Sequence, residues 1–194
     1  MSRGKEDRPG ELTEQEKQQL LHIARAAIAS RLKGEPLPDF APVSERLRQK
    51  QGAFVTLHKR RALRGCIGYI EPVSPLYLAV AEMAQAAAFE DPRFAPLSEE
   101  ELSEVDIEIS VLSPTREISD LEEIKVGEHG LIVQQGIRKG LLLPQVATEC
   151  NWDRTTFLRH TCLKAGLPAD AYKQKGTSIK VFSAQVFGEK ERED

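Results

Sequence analysis

In the stretch ALRGCIGYIEP, Ala62–Pro72, one cysteine stands between two glycines in a segment that otherwise reads as a β-strand. Cys66 is the nucleophile candidate, because a thiolate attacks where a thiol does not and neighbouring positive charge favours the thiolate. Arg64 supplies such a charge from the same strand face. Gly68, also on that face, leaves room for a ligand, while Gly65 marks a close approach or a bend. Three loop residues, Arg60 to Ala62, would join this strand to the preceding AFVTLHK with apolar face meeting apolar face. Thr56 then lies opposite Cys66 and His58 opposite Arg64. His58 is diagonal to the thiol and acts as a base only if it reaches the sulfur. The plain alternative is packing, since cysteine is among the most often buried residue types.

Other constellations are weaker. Asp106 and Glu108 share a strand face about 7 Å apart, which suits a carboxylate pair for acid–base work, a solvated face, or a partner for Arg64. The four histidines, at 22, 58, 129 and 160, make no zinc-site spacing with Cys66, Cys150 or Cys162, so no metal is expected. The basic cluster HKRRALR, His58–Arg64, could contact phosphate, but a solubilising hairpin tip is the favoured use. GxGxxG, Walker and GxSxG patterns are absent, and no cofactor is expected.

The elements that position these residues are legible. Thr13 and Glu16 have capping-box spacing, and Leu20, Ile23, Ala24, Ala27, Ile28 and Leu32 recur at helical intervals until Gly34. GEPLPDFAP is an extended connector. After the two strands, Ser74 and Pro75 read as N-cap and first-turn residue of the helix LYLAVAEMAQAAAF. Ser98 and Glu101 cap a short second helix. VDIEISVLS alternates as a half-buried strand, and GLIVQQG with GLLLPQV reads as a strand pair. A helix runs from about Asp153 to Ala165, and SIKVFSAQVFG makes a last strand. Hairpin, helix and strand thus occur twice, with too little sequence echo to define a repeat. Hairpin-linked strands predict an antiparallel α+β fold.

A chain of 194 residues with 40% hydrophobic and 29% charged residues is ordinary for a globular protein and long enough to fold without a metal or disulfide staple. Its net charge of -3 argues against a protein that coats nucleic acid. No apolar run reaches membrane-spanning length, so no membrane is expected as a partner. MSRGKEDRPGE lacks the apolar core of a signal peptide, and three widely spaced cysteines suit a reducing cytoplasm. Residues 1–10 and 188–194 read as charged tails around a single domain, 11–187.

LRGCIGYIEP, AAFEDPRF, DIEISVLSP, LEEIKVGEHGLIV, GLLLPQVA, WDRTTFLRHTCLKAGLP and AQVFGE follow one another in an order that resembles the AMMECR domain family. The likeness runs from about Leu12 to Glu189, with the LRGCIG signature intact at Leu63–Gly68. It departs at HKRRALRG, where a glycine-containing turn is expected. The resemblance implies a cytoplasmic α+β protein of two interleaved lobes, mainly antiparallel or even barrel-like in its sheet, with a cleft between the lobes. Around that cleft it would gather Arg64, Gly65, Cys66 and Gly68, Asp91 and Arg93 of DPRF, and Gln145 of LLLPQ, with Thr56, His58 and Glu108 from the neighbouring strands. It also implies companions in a shared pathway, a Memo-like protein and a radical SAM protein. Two functions follow as expectations: an enzyme or enzyme subunit binding a small anionic or carbonyl ligand near Cys66, or a non-catalytic adaptor docking a partner with Cys66 as packing. Nucleic-acid binding by the basic hairpin tip is the least favoured.

Overall fold

Thr13 accepts the backbone N–H of Glu16 while Glu16 takes that of Thr13 at 2.8 Å, closing the capping box that the sequence announces. The structure, a computed structural model, describes residues 11–190. It comprises two units, residues 11–111 with 185–190, and Leu112–Ala184. The second is therefore inserted between the last two strands of the first.

The first unit holds α1 (Glu14–Leu32), β1 (Ala53–Lys59), β2 (Ala62–Tyr69), α2 (Leu76–Phe89) and β3 (Val105–Leu112). The chain returns to it with the last strand, β8 (Ala184–Gly188). Its sheet has the order β2-β1-β3-β8, with β1 antiparallel to both neighbours. Alternation decides what is buried: Val55 and Leu57 of β1, with Ile107 and Ile109 of β3, face Leu20, Ile23 and Ile28 of α1 and the alanines of α2. Alanine on α2 lets the helix lie close to the sheet, and Gly34, at φ +68°, ends the α1 turn in the left-handed region.

The second unit holds β4 (Arg116–Ile118), β5 (Gly130–Gln135), β6 (Arg138–Leu142), α3 (Pro144–Glu149), α4 (Arg154–Lys164) and β7 (Thr177–Phe182). Its sheet order is β4-β7-β5-β6, and α4 buries Phe157, Leu158 and Cys162 in a separate core with Leu131, Val133 and Val181. Both sheets are four-stranded and open, so the barrel-like alternative does not occur; the α+β class with antiparallel strands does. Among the described residues no helix is long and apolar enough to cross a membrane.

Four local expectations need correction. SIKVFSAQVFG is two strands in different sheets, broken at Ser183, whose N–H and carbonyl are taken by Ser113. The GLLLPQV strand stops at Leu142, because Pro144 has no N–H to give a ladder and opens α3 instead. Helix α2 begins one residue late, with Pro75 as N-cap, since the Ser74 hydroxyl is bonded to the Tyr69 hydroxyl. Of the residues read as a C-terminal tail, Gly188 closes β8 and Glu189 accepts from Arg25 and from the Ile107 N–H at 2.9 Å. The Met1–Gly10 tail and residues 191–194 lie outside the described residues.

Candidate functional site

The β1–β2 hairpin turns on two residues, not three. Arg60 and Arg61 both take positive φ, 52° and 68°, the geometry of a tight hairpin turn in which glycine or asparagine is the usual choice. A two-residue turn alone would have put Cys66 on the wrong face. A bulge restores the parity: Leu57 pairs with Gly65 but His58 with Leu63, which leaves Arg64 as the extra residue. Beyond the bulge Thr56 lies opposite Cys66, as parity required, whereas His58 does not face Arg64.

Thr56 donates its hydroxyl to the Cys66 Sγ at 3.2 Å. The group on the sulfur is thus a hydroxyl and not the His58 imidazole; residue 58 stands opposite Leu63 on β2 and Asp106 on β3. Glu108 lies opposite Thr56 on β3, so Cys66, Thr56 and Glu108 form a row across three strands. Cys66 itself is half-buried.

The glycines answer to the protein's own atoms. A Cβ at Gly65 would overlap the Ala87 carbonyl oxygen, so this glycine lets α2 rest on the sheet. At Gly68 a Cβ would strike the ring of Phe54, its cross-strand partner, and the Ala53 carbonyl. The room that Gly68 was expected to leave for a ligand is filled by an aromatic side chain.

β2 is an edge strand, and its outer side at Cys66 is sealed by the segment after α2. The Asp91 carboxylate accepts the Cys66 N–H at 2.9 Å, and the Arg93 Nη2 approaches the Cys66 carbonyl at 3.4 Å. Asp91 also takes the Arg93 Nε at 2.9 Å, Nη2 at 2.6 Å and backbone N–H at 3.1 Å. Those bonds, Arg93 foremost, hold the Asp91 carboxyl well below the usual carboxylate range although burial opposes them. Its side chain is 2% exposed, against 54% for Arg93, whose guanidinium is held charged in turn by its hydrogen bonds to Asp91.

Arg64 points elsewhere. Its Nε and Nη2 meet the Glu101 carboxylate at 3.2 and 2.9 Å, and Nη2 also reaches the Ala95 carbonyl. Lys59 joins Glu101 and Glu104 at 3.1 and 3.3 Å. The Arg64 and Lys59 bonds bring the Glu101 carboxyl down from its ordinary 4.5 to about 2. Neither Asp106 nor Glu108 is the Arg64 partner: Asp106 accepts from Lys190 at 2.7 Å. Sequence reasoning saw Glu101 only as a cap for Ser98, a role it also fills, and missed Phe54 altogether. The Arg64 charge is thus spent on Glu101, and the cation beside Cys66 is Arg93.

Gln145 belongs to the second unit, on α3, where its buried Oε1 has no hydrogen-bond partner among the described residues. Cys150 is exposed and Cys162 buried in the same unit. Burial pushes the Cys162 thiol up. Among the described residues no group of three histidine, cysteine, aspartate or glutamate side chains is placed to hold a metal ion.

The family model described as AMMECR1 matches residues 21–187. A Methanothermobacter thermautotrophicus protein is 48% identical over 188 residues, covering 92% of this chain and 96% of its own. An Aquifex aeolicus protein is 43% identical over 180 residues, with 89% and 92% covered. The crystal structure of an uncharacterized protein from Pyrococcus horikoshii superposes with a TM-score of 0.87 at 40% identity, covering 92% of this chain and 94% of that one.

Proposed function

The chain belongs to the AMMECR1 family, and from that premise and the setting of Cys66 we propose that it binds a small anionic ligand or substrate at the outer face of β2. One observation carries this reading. Arg93 is fixed by buried Asp91 through Nε and Nη2, yet its side chain remains half-exposed against the carbonyl of half-buried Cys66. A guanidinium held in one orientation recognises a carboxylate or carbonyl oxygen with little ordering cost. Cys66 is the candidate for any covalent step, with Thr56 holding its sulfur; Glu108 completes the row. The Memo-like and radical SAM companions, and a cytoplasmic setting, enter as part of this proposal on family resemblance alone.

The test is alkylation of native protein by iodoacetate and by iodoacetamide, with modification at Cys66 assigned by peptide mass spectrometry. Iodoacetate is expected to be favoured relative to its ratio in unfolded protein, and Arg93→Gln or added salt should remove that preference. Modification of Cys66 only at the rate of global unfolding would end the ligand reading.

A second reading rests on a different observation: Gly65, Gly68 and Arg64 are all engaged by the protein itself. On that account LRGCIG builds a rigid sheet edge, Cys66 is packing, and the protein is an adaptor that docks a companion such as the Memo-like protein. Nucleic-acid binding at the β1–β2 tip loses support from the pairing of Lys59 and Arg60 with Glu104.

A further inference from the structure

The second unit carries a feature unrelated to Cys66. The β5–β6 hairpin turns on Gly136, at φ +58°, and Ile137, which is fully exposed. Isoleucine has no conformational reason to occupy a turn, and nothing of the described chain covers it. Around it the fold gathers cations from three separate segments. Arg138 reaches the Gly166 carbonyl at the end of α4, beside exposed Lys164 and 53% exposed Leu163. Gln135 bonds Gln174 and Thr177 at 3.1 Å, which brings the loop bearing exposed Lys173 and Lys175 against the same hairpin.

The charge is lopsided. Residues 135–138 and 163–176, the stretches that meet there, contain four arginines and lysines and one carboxylate, Asp170, although the whole chain is net -3. Among the described residues Arg138, Lys164, Lys173 and Lys175 take part in no ion pair. We propose that this end of the second unit rests on an anionic lipid surface, with Ile137 entering the headgroup layer and the surrounding cations meeting phosphates. Composition chooses lipid over the other anionic partners. Protein interfaces favour tyrosine, tryptophan and arginine and are depleted in lysine. Bases stack on exposed aromatics, and the nearby aromatic, Tyr172, is half-buried under Lys173. An aliphatic tip ringed by flexible lysines matches a fluid anionic layer, where each cation and the inserted side chain add separately. The lack of a spanning helix concerns crossing a bilayer, not resting on one.

The experiment is co-sedimentation of the full chain with vesicles of phosphatidylglycerol and phosphatidylcholine, or of phosphatidylcholine alone. Binding is expected only to the anionic vesicles. It should weaken about tenfold for Ile137→Ser, an exposed site at which folding is unaffected. Lys164, Lys173 and Lys175 changed together to glutamine should weaken it further, as should raising the salt. Circular dichroism confirms that each variant folds. No binding to anionic vesicles at low salt overturns the proposal, and so does binding indifferent to Ile137. Capture of polyglutamate or an oligonucleotide in place of vesicles also overturns it, assigning the patch to an acidic protein or to nucleic acid.

Discussion

The Asp91 carboxylate accepts the backbone N–H of Cys66 and three N–H groups of Arg93, so one buried side chain both seals the edge of β2 and orients the guanidinium beside it. Asp91→Ala should therefore lower stability by about 1.5–3 kcal/mol, the range for hydrogen bonds to a charged group. Urea denaturation measures that loss. Hydrogen exchange adds a sharper readout: the Cys66 amide should lose protection more than its neighbours in β2. Unchanged exchange at Cys66 would mean that Asp91 does not hold that amide.

Gly65→Ala should cost roughly 1–3 kcal/mol through overpacking, because its new methyl meets the backbone of α2, which cannot step aside. Gly68→Val should likewise destabilise the hairpin by displacing Phe54. Combining Gly68→Ala with Phe54→Leu should recover part of the single-variant loss, a coupling visible in a double-mutant cycle. A Gly68→Val protein as stable as the parent would restore the idea that this glycine keeps open space.

Cys66→Ser should lose about 1 kcal/mol or less, since the Thr56 hydroxyl that contacts the sulfur can also partner a serine hydroxyl. Cys66→Val should retain the fold as well, at a half-buried position. A drop of several kcal/mol for the serine variant, measured by chemical denaturation, would place the thiol in the core.

Glu101 gives a pH dependence with a definite sign. Its carboxyl lies near 2 in the folded protein against an ordinary 4.5, so between those values the unfolded chain binds the extra proton. The stability it contributes is fully present above about 4.5 and is lost as pH falls toward about 2. Asp91, also depressed, adds to the same acid loss at its lower end. Glu101→Gln should flatten the denaturation midpoint against pH across that window while lowering it at neutral pH.

Local chemistry made much of this protein legible. The Thr13–Glu16 capping box, the α1 stripe from Leu20 to Leu32 and the alternation of Val105 to Val111 are encoded within a few residues, so the elements they define could be read directly. Parity placed Thr56 opposite Cys66 because side chains in a strand alternate whatever lies at a distance. Other features depend on atoms far away in the chain. Arginine at two left-handed turn positions and the compensating bulge at Arg64 follow from how β2 meets β1 and α2, not from turn propensity. Which carboxylate takes Arg64 was decided by the chain path that brings Glu101, 37 residues on, to the hairpin. Phe54 fills the space over Gly68 only because the strands pair in that register. Likewise SIKVFSAQVFG reads as one strand by composition, and it is divided because Ser113 returns to bond Ser183 and the two halves enter different sheets. Periodicity and capping are short-range and survive in the sequence, while pairing of charges, filling of glycine gaps and the splitting of a strand are settled by contacts that exist only once the chain has folded.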